Sequence, residues 1–155
     1  MGASKERLRT DLAAALRAKD EAAKTNIRSL LAAIGNEEVA GEVARSLSDA
    51  EEIAVITREQ RKRKDSAETY AEAGRRDLAD KEQSEADFIA AYLPLPLTDR
   101  ELQDLVEAEV RAVHDSGESP SMKHMGTTVK AVNAKAAGRA DGARVAALVR
   151  AALTA

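Results

Sequence analysis

Cysteine and tryptophan are absent from this chain, proline occurs three times, and Tyr70, Phe88 and Tyr92 are its only aromatic residues. The lack of cysteine excludes disulfides, thiolate catalysis and cysteine-ligated zinc. No segment alternates β-branched or aromatic residues with polar ones, so strand signals are missing. No apolar run approaches the roughly 20 residues of a membrane-spanning helix, and the opening Met1-Gly-Ala-Ser-Lys-Glu-Arg has no apolar signal-peptide segment. These absences predict a soluble, cytoplasmic protein. What fills the 155 residues is Ala, Leu, Glu and Arg, all strong helix formers or close to them. A core of Ala, Leu, Val and Ile then has to come from helix-on-helix packing, and the expected class is all-α.

Charge is unevenly spread. The formal net charge is −3, yet residues 1–119 hold 18 basic against 26 acidic side chains. Residues 120–155 hold six basic residues, Lys123, Lys130, Lys135, Arg139, Arg144 and Arg150, against the single acid Asp141. Such asymmetry points either to an anionic partner for the basic end or to a basic surface docked on the acidic remainder.

Period and caps place seven helices. The first starts near Ser4 with Leu8, Leu12, Ala15 and Leu16 on one stripe; the second starts near Asp20, carries Ile27, Leu30, Leu31 and Ile34, and is expected to end around Gly35-Asn36. After the looser "EEVAGEVARSL", Ser48-Asp-Ala-Glu51 is a capping box that opens a third helix running to Gly74. Gly74-Arg-Arg turns into a fourth helix with Leu78, Ile89, Tyr92 and Leu93. "YLPLPL" interrupts it, because Pro94 and Pro96 each push the preceding residue out of the α region. Thr98-Asp-Arg-Glu101 is a second capping box, and a fifth helix follows with Leu102, Leu105, Val106, Val110 and Val113. The expected organisation is an N-terminal domain of about four helices over 1–93, a proline-containing link at 94–97 and a three-helix domain over 98–155.

The third helix contains "REQRKRKD", residues 58–65. Acids one turn away, as Arg61–Asp65, Glu59–Arg63 and Lys64–Glu68, favour a solvated helix face over a nucleic-acid patch. In the sixth helix Met122, Met125, Val129, Val132 and Ala136 form one apolar face, with Lys123 and Lys130 opposite. Then comes "GRADG". Gly138 lies where the chain turns left-handed after a helix, and Asp141 lies where a side chain caps the next one, with Gly142 following it. This joint puts Arg139 and Arg144 beside the free N–H groups of the last helix, which carries Val145, Leu148, Val149, Ala152 and Leu153. A helix N-terminus with adjacent arginines suits a phosphate; equally, the joint serves only to connect two helices.

With these stretches in view, "MGTTVKAVNAKAAGRADGARVAALVRAAL" resembles the C-terminal tail of the B subunit of the aspartyl/glutamyl-tRNA amidotransferase. The whole chain is similar to the free-standing YqeY-like family that shares that tail, through "IRSLLAAIGNEEVAG", "LSDAE" and "YAEAGRRDLADKEQSEADFIAAYLPLPLTDREL". By position the tail signature covers Met125, Gly126, Lys130, Gly138, Asp141 and Gly142. Thr127 stands where the family often has a basic residue, and Ala134 where it often has proline. The resemblance implies a helical domain joined to a three-helix tail that helps hold a misacylated tRNA. Together with the charge pattern it nominates Lys123, Lys130, Lys135, Arg139 and Arg144 for tRNA or phosphate contact.

Catalysis has no visible basis. An amidase needs an activated nucleophile, a base and an oxyanion hole. Ser29, Ser66, Ser84 and Ser116 lie in polar stretches without a Gly-rich elbow, and there is no phosphate-cradling loop. His114, read as exposed at a helix end, and His124 lack metal-ligand spacing. Glu37-Glu38 and Glu51-Glu52 read as ordinary helix-flank acids. No cofactor and no metal are expected. Carbon–nitrogen ligase chemistry with glutamine as amido donor is implied only by the resemblance, through an amidotransferase complex. The competing expectation is a helical adaptor whose third and fourth helices dock a protein partner, with no nucleic-acid role.

Overall fold

The computed structural model describes all of residues 1–155 and contains seven α-helices and no strand. They are α1 (Ala3–Ala18), α2 (Glu21–Glu38), α3 (Asp49–Glu72), α4 (Arg76–Ala90), α5 (Asp99–Asp115), α6 (Met125–Ala136) and α7 (Gly142–Thr154), with a 3-10 turn at Met122–His124. The chain forms two compact units, Met1–Leu93 and Pro94–Ala155.

In the first unit the apolar stripes of α1, α2 and α3 close on one another around Leu8, Ile27, Leu30, Ile34, Val55 and Ile56, and Leu47, Ile89 and Tyr92 complete the cluster. Burying each large aliphatic side chain contributes about 1.5–3 kcal/mol. Between α1 and α2 the chain reverses at Lys19, which is left-handed at φ 54°, and Asp20 caps α2 by accepting from the Ala23 N–H at 3.1 Å. Helix α2 runs three residues beyond Gly35, past the expected stop. Its last turn is anchored by Glu38, whose carboxylate receives Lys5 Nζ of α1 at 2.7 Å, and Gly35 has no turn to make.

Both capping boxes form. Ser48 Oγ accepts from the Glu51 N–H at 3.2 Å while the Glu51 carboxylate accepts from the Ser48 N–H at 2.8 Å. Thr98 and Glu101 repeat the exchange at 3.1 and 2.8 Å. Arg45 grips Glu51 as well, and together Arg45 and the Ser48 backbone hold the Glu51 carboxyl down at about 2. Gly74 closes the α3–α4 turn at φ 75°.

One acid departs from expectation. Glu52, read as a helix-flank residue, is completely buried. Its two oxygens accept from the Gly2 N–H at 2.9 Å and the Lys5 N–H at 3.0 Å, while neighbouring Asp49 accepts from the Ala3 N–H at 2.7 Å. The first turn of α3 therefore caps the N-terminus of α1, where backbone donors have no partners within their own helix. The fit is tight. A Cβ on Gly2 would lie 2.5 Å from the Glu52 carboxyl, so any larger residue there has to push that carboxyl aside.

Two bases of "REQRKRKD", Arg58 and Arg63, reach acids on other helices. Arg58 reaches Glu37 of α2, Lys62 reaches Glu59, and Arg63 lies 3.5 Å from both Glu82 and Glu85 of α4 rather than on Glu59. The Arg63 contacts and the Gln60 amide, which donates to the Ala86 carbonyl, lace α3 to α4. Their close approach is set by the small buried residues Ala67, Ala79 and Ala86.

The second unit packs α5, α6 and α7 around Leu102, Val106, Val132, Val145, Val149 and Leu153. The apolar face of the sixth helix is shorter than its sequence suggests. Met122 lies in the preceding 3-10 turn and is exposed, and α6 starts only at Met125. The turn is set by Ser121 and His124, whose Nδ1 accepts from the Ser121 N–H at 3.1 Å. From there Met125, Val129, Val132 and Ala136 face inward, and Thr128 joins them, buried with its hydroxyl unpartnered.

Candidate anion-binding face

The joint between α6 and α7 is built by a double left-handed step. Ala137 stands at φ 49° and Gly138 at φ 79°, a conformation that glycine adopts without the Cβ penalty. The Ala137 N–H donates to the Asn133 carbonyl at 3.0 Å and the Arg139 N–H to the Ala136 carbonyl at 2.9 Å, which satisfies the end of α6. Asp141 then caps α7 by accepting from the Arg144 N–H at 3.3 Å.

The five basic residues nominated from sequence fall into three situations. Arg139 and Arg144 sit at the joint and hold the segment that precedes α5. Arg139 Nε donates to the Leu95 carbonyl at 2.7 Å, and the Arg139 carbonyl accepts from the Leu97 N–H at 2.8 Å. The guanidinium of Arg144 pairs with the carboxylate of Asp99. Lys123 and Lys135 are exposed but paired, Lys123 with Glu118 at 2.9 Å and Lys135 with Glu109. Glu118 also receives His124 Nε2 at 2.8 Å, and the hydrogen bonds from Lys123, first, and then from His124 keep its carboxyl below the usual range. Lys130 is exposed and has no carboxylate within ion-pair distance; nor does Arg150, which the sequence places in the basic segment but which was not among the five.

Charge within this unit is segregated rather than excessive. Residues 94–155 carry eight basic and eight acidic side chains. Seven of the acids, Asp99, Glu101, Asp104, Glu107, Glu109, Asp115 and Glu118, lie on α5 or its flanks, and only Asp141 lies beyond. Six of the bases lie on α6, α7 and their connections. None of the five nominated residues lines either of two open grooves, of about 480 and 510 Å³. Lys130, Lys135 and Arg144 lie on α6 and α7, Lys123 in the 3-10 turn and Arg139, half-buried, in the joint. No group of three or more His, Asp or Glu side chains converges into a metal-binding arrangement, and no helix is long and apolar enough to cross a membrane.

Comparison with known proteins matches residues 5–153 to a family described as Yqey-like protein. The curated relatives include a Clavispora lusitaniae protein named "Altered inheritance of mitochondria protein 41, mitochondrial", 30% identical over 85% of this chain and 75% of its own length. Proteins of the same name from Saccharomyces cerevisiae and Lachancea thermotolerans are 36% and 37% identical, over 65% and 56% of this chain. The chain spans 57% and 46% of those two relatives' lengths.

Proposed function

The chain belongs to the YqeY-like family, and from that premise we propose that it is a non-catalytic, tRNA-related binding module that docks a polyanion on its α6–α7 side. The observation that carries this reading is the charge segregation of the second unit: acids gathered on and around α5, bases on α6 and α7, and the apolar stripe of α6 turned inward. Lys130 and Arg150, exposed and outside any ion pair, make first contact. Lys123 can exchange its surface carboxylate for a phosphate at little cost, because exposed ion pairs contribute only about 0–1 kcal/mol; Lys135 is held more firmly, since its partner Glu109 is largely buried. Any carbon–nitrogen ligase chemistry with glutamine as donor belongs to an amidotransferase complex that this module joins, not to its own side chains.

The adaptor reading has less to rest on. The large apolar side chains left exposed are Met1, Leu16, Val39, Val43, Leu95 and Met122, and none of them is on α3 or α4. An electrophoretic shift titration with unfractionated tRNA at low salt tests the proposal, comparing the wild type with Lys130→Glu/Arg150→Glu. Phosphate contacts are strongest under those conditions. The wild type shifts tRNA and the double variant shifts it weakly or not at all. If the wild type fails to shift, the tRNA reading is wrong, and partners captured from lysate despite RNase would restore the adaptor.

A further inference from the structure

Arg139 and Arg144 both belong to the proposed docking face, but the chain occupies them differently. Arg139 is held through Nε by a neutral acceptor, the Leu95 carbonyl. Arg144 is held by a full negative charge, the Asp99 carboxylate. The capping box at the start of α5 is made by Thr98 and Glu101 without Asp99. Its carboxylate, an acid in the first turn of α5 that takes no part in the capping box, bridges to α7 from 45 residues away in sequence.

We propose that Asp99 is an autoinhibitory carboxylate: it holds Arg144 in the place of a phosphate, and a polyphosphate partner has to displace it to dock. The inference rests on the α6–α7 side being an anion-docking face, and it adds regulation to that face. The pair is well suited to such a role. Both side chains are open to solvent, 45% exposed for Arg144 and 86% for Asp99, so the contact is weak enough to exchange. A partner with several negative charges offers Arg144 a stronger field than one carboxylate does, whereas isolated small anions do not. Arg139, anchored on a neutral carbonyl, has no carboxylate within ion-pair distance, although its charge helps lower the Glu101 carboxyl; it therefore needs no exchange before it meets a polyphosphate, whereas Arg144 does.

The test uses the full chain and inorganic tripolyphosphate, followed through the backbone amides of Gly142 and Ala143 and the Nε–H of Arg144 by NMR. Asp99→Asn is compared with Asp104→Asn. The latter removes the same charge further along α5, from a carboxylate that is 60% exposed and pairs with Arg100 instead. Asp99→Asn binds tripolyphosphate about two- to fivefold more tightly than Asp104→Asn, the range set by the worth of an exposed ion pair. In an Arg144→Gln background that gain disappears. The proposal is overturned if the two variants bind alike, if the gain persists without Arg144, or if no variant binds. A parallel tRNA titration separates the two levels. A tripolyphosphate gain without any tRNA shift keeps the gate and removes the tRNA reading. A tRNA shift with equal Asp99→Asn and Asp104→Asn affinities removes the gate alone.

Discussion

Removing the Glu52 carboxylate should loosen α1 more than any surface change in the first unit. The magnitude follows from three backbone bonds. Glu52 supplies two of them, to Gly2 and Lys5, in full burial, and Asp49 supplies the third at the surface. A hydrogen bond to a charged group contributes about 1.5–3 kcal/mol, and a buried donor left unpaired costs about 1–3 kcal/mol. Part of this is offset by the desolvation that the carboxylate no longer suffers. For Glu52→Gln the amide oxygen keeps one N–H while its NH2 faces the other, and the expected loss is about 2 kcal/mol. For Glu52→Ala both donors are orphaned and a cavity remains, for about 3–4 kcal/mol. Asp49→Asn should cost under about 1 kcal/mol, as exposed caps do. Gly2→Ala should behave like Glu52→Gln, because its Cβ would lie 2.5 Å from the carboxyl and has to displace it. Urea unfolding followed by far-UV circular dichroism gives the order, and amide exchange in residues 3–8 localises it to α1. A Glu52→Gln protein within about 0.5 kcal/mol of wild type would refute the cross-helix cap, since that is the range of an ordinary surface substitution.

Other consequences are open to measurement. Glu51, held at about 2 against an ordinary 4.5, contributes stability that is complete above about 4.5 and is lost as the pH falls toward 2. Carboxyl NMR titration should find its midpoint near 2, and Arg45→Gln should move it upward; a wild-type midpoint above about 4 would contradict the Arg45–Ser48 grip. Tyr92→Phe deletes the hydroxyl that donates to Asp11 at 2.6 Å; burial first, and then this bond, lift the phenol above its usual range. The substitution should cost about 1 kcal/mol by urea unfolding, while the Arg7 guanidinium stacked 4.6 Å above the ring stays in place. Asp141→Ala should cost about 1 kcal/mol, seen as faster amide exchange in the first turn of α7.

Local signals explain what was legible in the sequence. The boxes at Ser48–Glu51 and Thr98–Glu101, the Asp141 cap and the left-handed Gly138 all depend on residues within one turn of each other, and each appears where the spacing puts it. The seven helices follow from the 3.6-residue period for the same reason. The end of α2 was not readable, because Gly35-Asn36 resembles a stop and only the Lys5–Glu38 bridge, 33 residues long in sequence, shows why it is not one. Arg63 likewise chose acids on α4 over the local Glu59. Glu52 did carry a signal that a helix-flank assignment passes over: with Val55 and Ile56 it occupies the i, i+3, i+4 stripe that faces the core. An acid on such a stripe needs buried donors, and the donors are the first N–H groups of α1. At the candidate face the sequence supplied the bases but not their partners. Asp99 and Arg144, Leu95 and Arg139, and Glu109 and Lys135 meet only through the packing of three helices.

The docking of a polyanion on α6 and α7 is most directly measured by the salt dependence of tRNA binding, by fluorescence anisotropy from about 50 to 200 mM salt. The expected result is a steep linear fall of log affinity with log salt. For Lys130→Glu/Arg150→Glu the slope should be shallower by about 0.7–0.9 per phosphate no longer neutralised. A wild-type affinity indifferent to salt, or a slope unchanged when those two cations are reversed, would contradict it.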